Sequence, residues 1–236
     1  MSYPTPAEAN VIASAEKLMV ETMAKYDPSH DAFHVQRVRR TALHLARTIS
    51  SSSRSPSHTP DLLTIELAAL LHDVLDKKYV SAAAASDPYA FFLPFFENAR
   101  DAHGVDLVSD GRAAIVARVV ANVSWSTEKA LRASGGIEEW HRECVELHCV
   151  QDADRLDAIG AFGIMRCAAY SAATNRPLHA PEDDPAHADT AIQHFHDKLL
   201  HIREQLKTEP GKRMAEKRHQ FMLEFLAATK EEYEML

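Results

Sequence analysis

The sequence predicts an all-α fold, and its apolar pattern and its glycine content carry that prediction. Apolar residues recur at helical spacing through almost the whole chain, and no convincing run alternates with a period of two. Glycine is scarce, at 7 of 236 residues, which disfavours folds that need glycine-rich turns. Neither a G-x-G-x-x-G nor a G-K-[ST] pattern occurs, so dinucleotide and P-loop sites of the usual kind are excluded.

Apolar stripes and polar breaks define the predicted helices in order. The first three stripes are Val11, Ala15, Leu18, Met19 and Met23; Val38, Ala42, Leu45, Ala46 and Ile49; and Leu67, Leu70, Leu71, Val74 and Leu75. Further helices are predicted over 88–102, 110–124, 138–158, 161–173, 190–207 and 211–234. The polar segments 50–60 and 174–190 are predicted loops, and the second has the length of a lid or a disordered segment. Apolar stripes flank every break, so we expect 1–236 to form a single domain, a bundle of roughly eight to ten helices.

The composition narrows the class of protein. Lys and Arg number 26 and Asp and Glu 34, and the net charge of −8 disfavours a nucleic-acid polymer as partner. The three cysteines form no C-x-x-C pair, which is typical of reduced thiols in the cytoplasm. We expect a cytoplasmic protein without a signal peptide and without contact to a membrane. Four aromatic residues are expected to fill the core or to form the contact of a homodimer, with base stacking less favoured: Phe91, Phe92, Phe95 and Phe96.

Histidine and aspartate side chains interrupt apolar runs at three places. His72 and Asp73 stand in the otherwise apolar segment AALLHDVL, where a divalent ion is one natural compensation for burying them. His34 lies four residues before Val38 on an apolar stripe, and Asp154 lies in another apolar run. Two imidazoles and two carboxylates suit Mn²⁺, Fe²⁺, Co²⁺, Ni²⁺ or Zn²⁺. Spacing alone leaves a metal site no better supported than a hydrogen-bonded core histidine beside solvated acidic side chains.

Four longer segments carry a resemblance to a known family. They are HDAFHVQRVRRTALHLA, ELAALLHDVLDKKY, VQDADRLDAIGAFGIMR and TAIQHFHDKLLHIREQLKTEPGKRMAEKRHQFMLEFL, and they cover roughly half of the chain. With them the chain resembles the HD-domain superfamily of metal-dependent phosphohydrolases, and within it a small subfamily of predicted hydrolases from bacteria and fungi with the DADRLDAIGA motif. The resemblance implies an HD domain with its metal core over about 27–160. Its C-terminal helices, 190–234, would pack on that core and are candidates to close the substrate pocket.

The resemblance also assigns the residues of the metal site. It places the ligands on His34, His72, Asp73 and Asp154. Two rivals remain: the pair His30 and Asp31 as the HD dipeptide, and Asp152 as the last ligand. Asp76 matches the acidic residue that handles the attacking water in HD-x-x-E hydrolases, although glutamate is the residue of that pattern. Asp73 and Asp76 are therefore the expected catalytic residues.

Cationic side chains are needed to hold the phosphate oxygens of the substrate. The candidates are Arg37, Lys77, Lys78, His194, Lys198 and Arg218, with Arg213 as a further one. Among them the resemblance favours Lys78, His194, Lys198 and Arg218. A solvated basic surface remains the simpler interpretation of any one of them taken alone.

The implied activity is hydrolysis of a phosphate bond in a small molecule. A narrower form of this prediction makes the substrate a nucleotide, and the narrowest makes the protein a pyrophosphohydrolase of nucleoside triphosphates. One divalent ion is expected, with Mn²⁺ favoured and Fe²⁺, Co²⁺, Ni²⁺, Zn²⁺ or Mg²⁺ as alternatives. A di-iron oxygenase of the HD type is a rival that needs two more histidines, and His103, His141 and His148 lie outside any matching motif. A non-catalytic HD-fold ligand-binding module is the other rival.

Overall fold

The computed structural model describes residues 3–24, 31–52, 59–75 and 86–235, and they form helices without a strand. This confirms the all-α prediction. The helices are α1 (Pro6–Met23), α2 (Ala32–Ser52), α3 (Leu62–Leu71), α4 (Pro88–His103), α5 (Arg112–Asn122), α6 (Trp125–Ser134), α7 (Glu139–Glu143), α8 (Val145–Asp157), α9 (Gly160–Ala173), α10 (Ala191–Asp197) and α11 (Glu209–Glu234). Two 3₁₀ segments, His187–Asp189 and Leu199–Gln205, flank α10. No helix in these ranges is long and apolar enough to cross a membrane.

The core is built around α3, which is buried on all sides from Leu63 to Leu71. Helix α3 packs against α2, and both pack against α8. A helix that is apolar all round is stable only inside a protein, so its neighbours must cover every face. Buried side chains as far apart in sequence as Val11 and Met222 belong to the same apolar cluster. The assignment of the whole chain to one domain stays a prediction.

Three predicted helices end or divide earlier than their apolar stripes. Helix α3 ends at Leu71, so His72 and Asp73 lie in the turn that follows it rather than inside it. The predicted helix over 138–158 was wrong as one element, because Cys144 has an extended backbone (φ −68°, ψ 101°) that separates α7 from α8. The predicted helix over 190–207 was also wrong as one element, because Lys198 leaves the helical region (φ −140°, ψ −56°). Apolar spacing continues through such breaks, since the side chains on both sides still face the core.

The C-terminal helix α11 is attached to α8 by a buried carboxylate. Asp152 accepts hydrogen bonds from the backbone N–H groups of Lys207 and Thr208 at 2.8 and 2.7 Å, and from the Thr208 hydroxyl at 2.7 Å. The Thr208 hydroxyl in turn caps α11 by accepting from the N–H of Gly211. A Cβ at Gly211 would lie 2.5 Å from Oδ2 of Asp152, so glycine is required there.

The loop 174–190 is anchored where it enters α10. The N–H groups of Ala191 and Ile192 donate to the carbonyl oxygens of Pro177 and Leu178, and Thr190 caps α10 through its hydroxyl. Of the four phenylalanines on α4, Phe92 and Phe96 are buried in the core, while Phe91 is 39% exposed.

Candidate metal centre

The four side chains expected to bind metal come from α2, the turn after α3, and α8. His34 lies in the first turn of α2, where Asp31 accepts a hydrogen bond from its backbone N–H at 2.8 Å. Because α2 and α3 pack on α8, His34, His72 and Asp154 converge although they are far apart in sequence. Nδ1 of His72 donates to the carbonyl oxygen of Ala69 at 2.8 Å, which leaves Nε2 of the neutral ring with its lone pair directed away from the helix.

The distances among His34, His72 and Asp154, and from Asp73 to both histidines, are close to those of ligands around one ion. Oδ2 of Asp73 lies 3.4 Å from Nε2 of His34 and 3.3 Å from Nε2 of His72. Oδ1 of Asp154 lies 3.5 Å from Nε2 of His34 and 4.0 Å from Nε2 of His72. Donor atoms of His34, His72 and Asp154 all lie within 4.8 Å of one another. Ligands held at about 2.1 Å from one ion are roughly 3.0–3.4 Å apart, so little movement would bring these atoms together around it.

The burial of these atoms supports a metal ion in their midst. Nε2 of His72 and Oδ2 of Asp73 are buried and have no hydrogen-bond partner among the described residues. A buried polar atom without a partner is costly, and a divalent cation at this point would compensate both atoms at once. The side chains of Asp73 and Asp154 are 20% and 28% exposed, so the carboxylate side opens to solvent while both imidazoles are buried. The donor set therefore fits a divalent ion with access for water and substrate.

The neighbouring histidines already favour the ionised form of Asp73 without a cation. Burial by itself would raise the pKa of Asp73, but the neighbouring His72 and His34 lower it well below its ordinary range. Burial would lower the pKa of His72, but the charges of Asp73 and Asp154 outweigh it and raise that pKa to about 9. Because a metal ion binds the neutral imidazole, an ion at Nε2 of His72 competes with a proton there.

Asp157 is a further residue of this centre, and it is not among the site residues expected from the sequence. Its Oδ2 accepts a hydrogen bond from Nδ1 of His34 at 2.7 Å, and its side chain is only 6% exposed. Arg37 donates to the same carboxylate through Nε at 2.7 Å and Nη2 at 3.0 Å, and Arg166 donates at 3.1 Å. Helical spacing was the available signal, since Asp157 follows Asp154 by three residues and so lies on a neighbouring face.

The rival residues that the structure describes, Asp31 and Asp152, have other partners. Asp152 lies two positions from Asp154, on the opposite face of α8, where it holds the start of α11. Asp31 caps α2 and joins no cluster of donor atoms among the described residues, and His30 lies outside them. His141 and His148 are likewise engaged elsewhere, because Nε2 of His148 donates to the carbonyl oxygen of His141 at 2.9 Å.

The expected phosphate-binding residues that the structure describes differ in their contacts and in their burial. Arg37 is held by Asp157 and lies 4.4 Å over the Phe162 ring. Arg218 donates to the carbonyl oxygen of Leu156 near the end of α8, and burial lowers its pKa. His194 is half-buried on α10, and Lys198 and Arg213 are exposed. The expected residues Asp76, Lys77 and Lys78 lie outside the described residues.

Comparisons with known proteins place this centre in a family. No family model matches the chain. The chain is 31% identical over 202 residues to the uncharacterized protein YpgQ of Bacillus subtilis, a match that covers 84% of this chain and 81% of YpgQ. An HD-superfamily hydrolase from Bacillus thuringiensis has the same fold with a TM-score of 0.69 and 27% identity, over 97% of this chain and all of that one. The chain belongs to the HD superfamily.

Membership in the HD superfamily indicates what the clustered histidine and aspartate side chains bind. HD hydrolases bind a divalent metal ion, and this chain is a metal-dependent hydrolase of that superfamily. A crystal structure of B. subtilis YpgQ in complex with ADP matches with a TM-score of 0.63 and 26% identity, over 92% of this chain and 97% of that one. The chain covers most of the length of each of these HD relatives, so the likeness extends beyond the metal centre.

Proposed function

We propose that this HD protein hydrolyses a phosphate bond of a nucleotide with the help of one divalent ion, for which Mn²⁺ is favoured. The proposed ligands of that ion are His34, His72, Asp73 and Asp154. The observation that carries the metal assignment is the convergence of His34, His72 and Asp154, with Asp73 against both histidines. Nε2 of His72 and Oδ2 of Asp73 are buried there without a hydrogen-bond partner among the described residues. Support for a nucleotide comes from YpgQ, a relative that has been crystallised with ADP. Mn²⁺ fits a mixed set of two imidazoles and two carboxylates better than Mg²⁺ does, because Mg²⁺ prefers oxygen ligands and retains water.

The chain's own residues divide the work of the reaction. When bound, a divalent ion neutralises phosphate charge and lowers the pKa of a water molecule. Asp157 holds His34 as the tautomer with the proton on Nδ1, and the Ala69 carbonyl does the same for His72. Asp76 is proposed to orient the attacking water and to accept its proton.

The substrate phosphates need cationic partners, which we propose to be Arg37, Lys77, Lys78, His194, Lys198 and Arg218. Arg37 would have to share its guanidinium between the substrate and Asp157, and Arg218 between the substrate and the Leu156 carbonyl. Their contribution would be to hold oxygens that the metal ion does not reach. In the narrowest form of the proposal, the substrate is a nucleoside triphosphate and the product is pyrophosphate.

The test is a hydrolysis screen over nucleotides and phosphate esters in the presence of Mn²⁺. Wild-type protein should release phosphate or pyrophosphate, and the two products are told apart by measuring phosphate with and without added inorganic pyrophosphatase. Asp73→Ala should abolish release, because it removes one ligand and leaves both histidines. The control Asp101→Ala, which removes a carboxylate that is 65% exposed, should retain it. Equal release by wild type and Asp73→Ala would refute the proposal.

Metal counting separates the rival functions. The di-iron oxygenase of the HD type predicts two irons per chain and consumption of O₂, whereas the proposed hydrolase predicts one divalent ion. The non-catalytic module predicts retained metal and no turnover with any phosphate ester. His141 and His148 make their hydrogen bonds away from the centre, which favours a single ion.

A further inference from the structure

A second site of chemical interest is a cavity of about 490 Å³ between α6, α8 and the turn that leads into α11. Its volume is within the roughly 300–1,000 Å³ that is usual for small-molecule pockets. Leu131 and Leu147 supply apolar walls, and Gln151 lines it one turn before Asp154 on α8. None of the four proposed metal ligands is among the described residues that line it.

The described lining of the cavity has more basic than acidic side chains, in a chain whose net charge is −8. Among its described lining residues, Arg132, Arg142, Lys207 and Lys212 are basic and only Glu128 is acidic, a net charge of +3. Clefts lined by one sign of charge concentrate ions of the opposite sign. The lining therefore selects for anions against the overall charge of the protein.

Glu128 cannot neutralise the cations that surround it. Its carboxylate accepts hydrogen bonds from Arg132 at 2.6 Å, from Lys207 at 2.5 Å, and from Arg155. Three positive charges thus converge on one negative charge, and the Glu128 side chain is only 6% exposed. Nε of the buried Arg155 has no hydrogen-bond partner among the described residues. Asp152 is a second carboxylate that interacts with Arg155, so one positive charge remains in excess. A cation left in excess in a partly desolvated place is costly, and a bound anion would offset that cost.

Two further cations at this cavity are held only loosely. Lys212 pairs with Glu209, whose side chain is 74% exposed, and the Arg142 guanidinium donates to the carbonyl oxygen of Ile137. Exposed ion pairs contribute little and exchange readily. Both side chains could turn to a ligand without breaking a buried contact.

We propose that this cavity binds a small phosphate-bearing polyanion, inorganic pyrophosphate or the phosphate chain of a nucleotide, at a site separate from the metal centre. Arg142 and Lys212 supply its direct contacts, and the excess charge around Glu128 attracts it. Leu131 and Ile137 leave an apolar surface for the organic part of a nucleotide. The proposal does not depend on the hydrolase activity.

The test is isothermal titration of metal-free protein in EDTA with inorganic pyrophosphate, and separately with ATP. Wild type should bind with a 1:1 stoichiometry, and raising the NaCl concentration should weaken binding. The double variant Arg142→Gln/Lys212→Gln should bind at least tenfold more weakly. The matched control Arg100→Gln/Lys230→Gln, which removes two exposed cations elsewhere, should bind like wild type.

The outcomes are distinct. Absence of saturable binding, or equal affinity in wild type and Arg142→Gln/Lys212→Gln, would overturn the proposal. Binding of ATP but not of pyrophosphate would identify the nucleotide as the source of the phosphate chain, and binding of both would identify the phosphates alone as sufficient. Because the protein is metal-free, a negative result leaves the hydrolase proposal intact. Urea unfolding of each variant checks that a lost affinity does not come from lost folding.

Discussion

Replacement of Asp157 should weaken metal binding through His34, although Asp157 is not itself a ligand. The carboxylate fixes the proton of His34 on Nδ1, and Arg37 and Arg166 hold the carboxylate in turn. In Asp157→Asn the side-chain amide can accept from a protonated Nδ1 or donate to an unprotonated one, so it no longer fixes the tautomer of His34. The neutral amide also cannot balance two guanidinium groups. Loss of such an orienting partner typically lowers metal affinity about 10–100-fold.

The same change should also destabilise the metal-free protein. Removal of one partner of a buried ion pair costs about 3–5 kcal/mol. The Arg37 side chain is 26% exposed and water can solvate part of its charge, so we expect about 2–3 kcal/mol for Asp157→Asn. Urea unfolding in EDTA measures this loss, and Mn²⁺ titration followed by electron paramagnetic resonance measures the affinity.

Asp152→Asn is the matched control, because Asp152 is a buried carboxylate on the same helix and holds Thr208 instead of a histidine. It should lose stability and keep its affinity for Mn²⁺. A ¹⁵N spectrum of the His34 ring should show Nδ1 protonated in wild type and a mixture of tautomers in Asp157→Asn. Unchanged Mn²⁺ affinity in Asp157→Asn, or an equal loss in Asp152→Asn, would refute the positioning role.

Three further predictions concern the fold and the ion. Gly163→Ala should lower the free energy of unfolding by about 3 kcal/mol, because its Cβ would lie 2.4 Å from a backbone oxygen. Gly104→Ala, where φ is +70° and the space around the Cβ is open, should lower it by about 1 kcal/mol. Equal urea midpoints for the two variants would contradict this difference. Burial raises the pKa of Glu128, but the hydrogen bond from Lys207 and the nearby arginines lower it from 4.5 to about 2. The ionised Glu128 therefore stabilises the folded protein fully above pH 4.5, and this contribution is lost as the pH falls towards 2. Glu128→Gln should lack that part of the stability–pH curve, and parallel curves for both proteins would show the sign or the group to be wrong. Addition of EDTA should lower the melting temperature of Mn²⁺-loaded wild type, because an ion at a hundredfold excess over its Kd stabilises the folded protein by about 2.7 kcal/mol. EDTA should leave the melting temperature of Asp73→Ala unchanged. An equal shift in both proteins would place the ion elsewhere.

The sequence by itself was sufficient for the fold class and for the family. Helical spacing of apolar residues is a local property, so a stripe such as Val38 to Ile49 predicts a helix without knowledge of its neighbours. His72 and Asp73 are also recognisable from local sequence alone, since they are two polar side chains that interrupt an apolar run. Their roles as ligands, together with those of His34 and Asp154, stay predictions that the geometry supports.

Only the tertiary structure decided which polar groups face one another. The contact between His34 and Asp157 joins residues 123 positions apart, and no periodicity within either helix encodes it. Arg37, which is expected to hold phosphate, also donates to that same carboxylate, because α2 and α8 pack side by side. The cations around Glu128 likewise come from separate elements, since Arg155 lies on α8 and Lys207 lies in the turn before α11. Local spacing determines which face of a helix a residue occupies, whereas the charge it meets there depends on how separate helices pack.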